Sequence, residues 1–463
     1  MQDEELTGKT TAFDPDVAQE EGNDRIPLSR RMLLLAIIFI PIMVIIVEYG
    51  EIIRLVDLVS TSLMLIVTFF LLLLIGFNAV LARWAPRWRF SRGELLFFFI
   101  MFTAAGNIAG TGMVQMIVPM LTYVHHFATP ENKWGQFIPL IKDWMVPDKD
   151  VIEGFWRGQT TFYTAEHIQG WLGTIAIWGF FVFAFVAFTL FLNVLLRRQW
   201  IERERLAFPI VYFPLELTKQ GAGSLLRQKL LWLGFLVPVV LEGLAGLNYL
   251  YPNIPYLPIK AFEPGLSLAR YFGEFQSGSG GSADHFALIT LAFYPLAIGI
   301  GYFVQLDVLF SLWFFYWFAR FEELVCIFLG FREPGMGSKM YELPYLNQQS
   351  QGAFMALAIV SLWLARRHLL AIAIAAFKGG KEGRTRDFIS YRIAFFGCLL
   401  SGAFIFLFWY LTGVSLIILI LFFAIYFLTV IGYTRIRAEA GLCLLYTSPS
   451  PRDRTRSRMP SSA

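Results

Sequence analysis

The sequence predicts an all-α polytopic integral membrane protein, with about ten transmembrane helices and a break in the third. Three observations carry this. The chain is 57% hydrophobic and only 16% charged, with a mean hydropathy of +0.59, far from the profile of a soluble domain. Apolar windows of about 20 residues, enough to cross ~30 Å of hydrocarbon, recur from Arg31 to Tyr433. One window, Gly93 to His125, is long enough to cross but carries a polar, glycine-rich interruption, Ala104-Ala105-Gly106-Asn107-Ile108-Ala109-Gly110-Thr111-Gly112.

The elements follow in order. Residues 1–30 form an acidic tail; its first 24 residues carry eight acids (Asp3, Glu4, Glu5, Asp14, Asp16, Glu20, Glu21, Asp24) against one Lys9 with almost nothing apolar to bury, the composition of a disordered segment. A cleaved signal peptide needs a basic stretch before its apolar core, so the first helix is expected to stay as an anchor. The expected spans are 31–53, 58–82, 94–124, 171–196, 230–251, 285–304, 308–331, 352–366, 391–411 and 414–433, within a transmembrane domain at 31–441. The last residues, Leu444 to Ala463, change composition abruptly and resemble translated sequencing-adaptor read-through. The segment 442–463 is therefore set aside as a non-native tail, with the chain expected to be truncated near Gly441; a native basic tail is the alternative. Without the tail's four arginines and one aspartate, 38 basic and 34 acidic residues become 34 and 33, nearly neutral.

Basic residues set the orientation. Arg83, Arg87, Arg89 and Arg92 follow the second span; Arg197, Arg198, Arg203, Arg205, Lys219, Arg227 and Lys229 follow the fourth; Arg366, Arg367, Lys378, Lys381, Arg384, Arg386 and Arg392 follow the eighth. Together with Arg25, Arg30 and Arg31 they place the N-terminus in the cytoplasm of a multi-pass protein of the cytoplasmic (inner) membrane. The scheme holds only if 94–124 crosses once. Of the opposite loops, 125–170 holds Trp134, Trp144, Phe155 and Trp156 and predicts interfacial helices. The loop 252–284 is proline-rich at its start and closes on Ser277-Gly278-Ser279-Gly280-Gly281-Ser282, a flexible connection.

Polar groups at membrane depth are expensive and mark functional positions. Asn107, Thr111 and Gln115 are spaced i, i+4, i+8, one stripe if the helix persists, and with Gly110 they are the expected substrate-binding residues. Helix packing through the same small and amide residues is the other account. Arg320 and Glu323 can pair at i, i+3, which leaves Glu322 as a proton site unless the helix ends at Arg320. Glu242, apolar on both sides, is a second intramembrane carboxylate. Asp307 reads as a helix cap, Glu94 as a carboxylate at a positive helix end, and Glu48 and Glu51 as side chains that snorkel outward. The adjacent His125 and His126 point to different faces, and no HExxH or carboxylate–histidine set has metal spacing. Cys326, Cys398 and Cys443 give no disulfide framework.

Two charged segments, Glu202-Arg203-Glu204-Arg205-Leu206-Ala207-Phe208-Pro209 and Thr434-Arg435-Ile436-Arg437-Ala438-Glu439-Ala440-Gly441, each follow a long span, and the first is expected to dip back toward the bilayer. Arg205–Pro209 and Arg437–Gly441, with Gly301-Tyr302-Phe303-Val304-Gln305-Leu306-Asp307 and Ser311–Tyr316, resemble a group of uncharacterised bacterial polytopic proteins distantly similar to the oligopeptide transporter superfamily. The resemblance spans about residues 30–441. It implies proton-coupled import of small peptides or metal chelates, by proteins with more helices than this chain.

Function follows as an expectation: a proton-coupled secondary transporter of a small solute, not an enzyme. Its site would be Asn107, Gly110, Thr111 and Gln115, its proton carrier one of Glu322, Glu323 or Glu242, and its structural charges Arg320, Asp307, Arg437 and Glu439. No cofactor, metal or nucleic acid is expected; the partners are the bilayer and a small molecule, and a homodimer fits such a chain. The rivals are an enzyme acting on a lipid-linked substrate through Glu131, Asp143, Asp148 or Asp150, and a non-transporting accessory subunit.

Overall fold

The computed structural model describes residues 30–53, 65–110, 113–158, 161–218, 228–257, 293–329, 346–378 and 389–441. The acidic tail, most of the loop 252–284, Thr111, Cys443 and the tail 442–463 lie outside them. The described residues form thirteen α-helices and no strand: α1 Arg30–Glu48, α2 Leu65–Trp84, α3 Arg92–Ala109, α4 Val114–Phe127, α5 Lys149–Arg157, α6 Ala165–Arg198, α7 Pro209–Thr218, α8 Lys229–Leu250, α9 Pro295–Gly301, α10 Leu306–Phe328, α11 Leu346–Lys378, α12 Tyr391–Leu411 and α13 Leu416–Ala440. Eight stretches among them are long and apolar enough to cross a membrane, with α3 and α4 counted as one. Helix α10 is not among them: every 18-residue window of it holds Arg320, Glu322 and Glu323. Of the expected span 285–304, only α9 and its flanks fall among the described residues.

The chain divides into two compact units, 1–106, 207–354 and 433–463 in the first and 107–206 and 355–432 in the second. In the first, α1, α2 and α3 share a core of Met43, Val47, Val67, Leu71, Phe98 and Phe102. The α2–α3 connection is held by one buried amide: Asn78 Nδ2 donates to the Phe90 carbonyl (3.0 Å) and Oδ1 accepts from the Phe90 N–H (2.7 Å). Both backbone groups of Phe90 are thereby satisfied where no water reaches. Helix α3 then starts on a capping box. The Ser91 N–H donates to Glu94 Oε2 (2.9 Å) and the Glu94 N–H to Ser91 Oγ (3.3 Å), so the carboxylate expected at this positive helix end sits there.

In the second unit, α6 and α12 pack antiparallel along their length. Phe191 presses on Gly397, Phe188 lies 3.1 Å from the place a Cβ on Gly402 would occupy, and the Phe181 ring lies tilted against Phe408 at 4.7 Å. A side chain at either glycine would displace an aromatic ring, so small residues set the approach of the helices.

Several expectations change. The span 352–366 is the middle of α11, a 33-residue helix that at 1.5 Å per residue reaches ~50 Å. The stretch after Arg367 is rich in Ala and Leu and continues the helix. Arg366 and Arg367 therefore belong to a helix, not a loop; Arg366 lies 4.2 Å over the Trp363 ring and donates to its carbonyl at 2.7 Å. Glu51 does not snorkel: it is 7% exposed, inside a π-helical turn at Tyr49–Ile53. The loop 125–170 contains one amphipathic helix, α5, with Val151 and Ile152 buried, and its tryptophans pack onto protein. Trp144 meets Phe408 at 5.3 Å, and the Trp178 indole N–H of α6 donates to the Met145 carbonyl at 2.9 Å.

Gly397→Leu is expected to destabilise the fold by about 1–3 kcal/mol, the usual cost of overpacking. The exposed Leu400→Ala should stay within ~0.5 kcal/mol. Thermal unfolding in detergent reads the difference; equal melting temperatures would contradict the α6–α12 packing.

Candidate functional site

The broken span builds the site. Helix α3 stops at Ala109, Gly110 is buried, and the ladder restarts when Met116 and Ile117 donate to the Met113 carbonyl at 3.2 and 3.0 Å. The interruption lies between Asn107 and Gln115, so the predicted i, i+4, i+8 stripe does not persist: Asn107 is exposed in the last turn of α3 and Gln115 sits in the first turn of α4. Thr111 is outside the described residues. Glycines at 106, 110 and 112 around one amide leave too little helix-favouring sequence to carry the ladder across.

Gln115 is the residue this break exposes. Its Nε2 is enclosed and has no hydrogen-bond partner among the described residues. Four residues on, Pro119 has no N–H to give, so the Gln115 carbonyl also loses its place in the ladder. One residue thus offers an unmade amide donor and a freed backbone carbonyl. Two turns further, buried Thr122 accepts the Trp156 indole N–H (3.0 Å) while its hydroxyl turns to the Val118 and Pro119 carbonyls.

The C-terminal end of α4 carries a second polar set. His126 pairs with Glu153 at 3.1 Å and lies flat on Trp156, 5.4 Å away; Arg157 holds the other Glu153 oxygen at 2.9 Å. These contacts tie α4 to α5. The acids proposed for an enzyme reading, Glu131, Asp143, Asp148 and Asp150, are all exposed. A hydrogen bond from the Thr129 hydroxyl holds the Glu131 carboxyl below its usual range. Among the described residues no group of three His, Cys, Asp or Glu could hold a metal.

The intramembrane charges are placed differently from one another. Helix α10 continues past Arg320 to Phe328, so the carboxylates do not follow a helix end. Glu322 is half-buried and accepts from Gln349 Nε2 at 2.7 Å, and Arg320 lies over the Tyr316 ring at 5.8 Å. The side chain of Glu323 is outside the description, and with it the Arg320–Glu323 pair. Glu242 is exposed on α8, a helix with no buried residue. Asp307 lies one residue inside α10, not at its cap, where its charge still faces the positive helix end. Arg437 is exposed, and Glu439 pairs with Arg435 at 3.6 Å.

Parts of three of the four motifs that carry the resemblance meet in the first unit, at Phe208–Pro209, Ala438–Gly441 and Val304. The Phe208 N–H donates to the Ala438 carbonyl at 2.8 Å, joining the two charged segments. Gly441, at φ +79°, ends α13; a Cβ there would lie 2.5 Å from Pro209 and 3.5 Å from Ile210. Ile210, like Val308 and Leu309, in turn packs on Val304. Helix α7 then runs into the first unit's core through Leu217, as a segment dipping back among the spans would. Arg205 and Phe208 both hold positive φ, 51° and 46°, a strained backbone kept only where surroundings over-determine it.

One residue escaped the sequence reading. His368 on α11 is 5% exposed, and its Nε2 has no hydrogen-bond partner among the described residues. It packs edge-on to Tyr391 at 6.1 Å. One helical stretch away the Trp200 indole N–H donates to Ser361 Oγ at 3.3 Å, linking α11 to the π-helical turn Gln199–Arg203. The signal was a histidine at the head of an apolar run, hidden when the helix is ended at Arg366. A separate apolar groove of about 680 Å³, lined by Phe188, Cys398, Gly402, Phe406 and Tyr410 among others, holds none of the site residues.

Long apolar helices, a broken span and charges held within helices define an all-α polytopic membrane protein. Its family model matches residues 23–462, including the segment 442–462 set apart above: the chain belongs to the family of unknown function DUF6785. No curated protein and no solved structure gives a match.

Gly441→Ala should lower the melting temperature, since the substitution meets both a left-handed backbone, at a cost of about 1 kcal/mol, and the Pro209 ring. Ala440→Gly, which leaves both contacts intact, should change it less. An unaltered melting point for Gly441→Ala would sink the docking of the two segments.

Proposed function

We propose that this protein is a secondary transporter of a small polar solute, with Gln115 at the broken span as a substrate contact. The observation that carries the reading is the unmade donor on the enclosed Gln115 amide, beside a carbonyl freed by Pro119. A buried polar group without a partner costs about 1–3 kcal/mol, and a solute that hydrogen-bonds there recovers it. Broken helices that present backbone groups at membrane depth are the usual substrate sites of secondary transporters. Asn107, Gly110 and Thr111 belong to the same break and complete the proposed site.

Alternating access asks for two bodies with separate cores. The division into two units, each with its own packed interior, supports that requirement. Proton coupling falls to Glu322, whose carboxylate accepts from Gln349 and would surrender that bond's charge assistance on protonation. The resemblance to the oligopeptide transporter superfamily names the solutes to try first, small peptides and metal chelates. A site for a lipid-linked substrate would need carboxylates enclosed near the outer loop, and the four acids there are exposed.

The test is reconstitution into liposomes loaded with a pH-sensitive dye and challenged with di- and tripeptides and metal chelates. Gln115→Leu and Asn107→Leu are expected to abolish solute-dependent acidification while folding and insertion persist. Wild-type rates in both variants would remove the break from the site. Glu322→Gln should uncouple uptake from the proton gradient and leave exchange of solute intact; uptake still driven by the gradient would exclude Glu322 as the carrier.

A further inference from the structure

The connection between α2 and α3 carries more charge than orientation needs, and it is rigidly built. Residues 83–92 read Arg-Trp-Ala-Pro-Arg-Trp-Arg-Phe-Ser-Arg, four arginines and two tryptophans without an acid. Arg83, Arg87 and Arg89 are exposed and form no ion pair among the described residues. Trp84 and Trp88 are 82% and 64% exposed, although an indole has ample apolar surface to bury. The segment is nonetheless not loose. Asn78 clamps both backbone groups of Phe90, and Phe90 itself is buried against Phe98 at 5.9 Å. A 3-10 turn at Pro86–Trp88 fixes the intervening residues. Arg31, from the start of α1, lies over the Phe90 ring at 4.6 Å and the Trp88 ring at 5.6 Å and donates to the Trp88 carbonyl.

Exposed indoles beside unpaired guanidinium groups, at the ends of membrane helices, match one environment. Indoles settle at headgroup depth, where one edge is wet and the other apolar. Guanidinium groups bind phosphate oxygens in a fixed fork. The positive end of α3 takes no part, because the Glu94 carboxylate already occupies it. We infer that Arg83, Arg87 and Arg89, with Trp84 and Trp88, form a preorganised site for the headgroup phosphate of an anionic phospholipid. The backbone clamp matters to it: arginines presented by a fixed turn lose less conformational freedom on binding than arginines on a mobile loop. The site rests only on the chain being a membrane protein and is independent of the transport reading and of which side the loop faces.

The test titrates the purified full-length chain in detergent micelles with phosphatidylglycerol, phosphatidylcholine and soluble glycerol phosphate, reading bound lipid by native mass spectrometry. Phosphatidylglycerol is expected to bind and phosphatidylcholine and glycerol phosphate to bind far more weakly. Arg87→Gln with Arg89→Gln should weaken phosphatidylglycerol binding roughly 25-fold, and Trp84→Ala with Trp88→Ala should weaken it without changing the net charge. Lys142→Gln with Lys149→Gln, an equal loss of charge on the outer loop, should leave it unchanged. Equal binding of the two lipids, or an equal effect of the lysine pair, would reduce the patch to diffuse attraction and overturn the site. Tight binding of glycerol phosphate would make the ligand a free phosphate ester and overturn it as well.

Discussion

Three places among the described residues where the chain leaves a helix turn on one need, partners for backbone groups that lipid cannot hydrate. At the α2–α3 connection the partner is a side chain, Asn78, which takes both groups of Phe90. At the end of α13 it is another segment, because the Ala438 carbonyl accepts from Phe208 while Gly441 turns back to the Arg437 carbonyl at 3.1 Å. At the α3–α4 break the accounts do not close within the described residues, and Gln115 is left with an unmade bond. The contrast separates interruptions whose bonds are made from one where a donor is left over.

Much of this was legible in the residues. Hydropathy alone located eight of the ten expected spans among the described residues, since ~20 apolar residues have few other uses, and three glycines around Asn107 located the break. Ser91 and Glu94 announced the start of α3 by a spacing that needs no tertiary information. What hydropathy misplaced were lengths. It ends a span at the first paired charges, whereas the helix continues wherever Ala and Leu favour it, as α11 does through Arg366 and Arg367. The missed His368 followed from that error. Long-range partners were beyond reach for another reason: Asn78 is one amide in an apolar run, and nothing local says that its partner is Phe90 rather than a neighbouring helix.

The two charged segments also change meaning once placed. As sequence they look like cytoplasmic loops; as structure they are a buried joint, with Ala438, Ala440, Gly441 and Pro209 all enclosed and the charges turned outward or paired. A glycine at 441 is what the approach of Pro209 demands. Motifs of this kind mark packing at least as strongly as chemistry, and the strained Arg205 and Phe208 mark the cost of making the joint.

The aromatic rings seated on Gly397 and Gly402 have a mechanical consequence. The two notches on α12 lie five positions apart, and Phe188 and Phe191 fill both at once. A ring in a notch works as a detent: α12 cannot creep past α6 by fractions of an ångström without lifting both rings together. Small displacements are therefore carried by the two helices together, as a single beam.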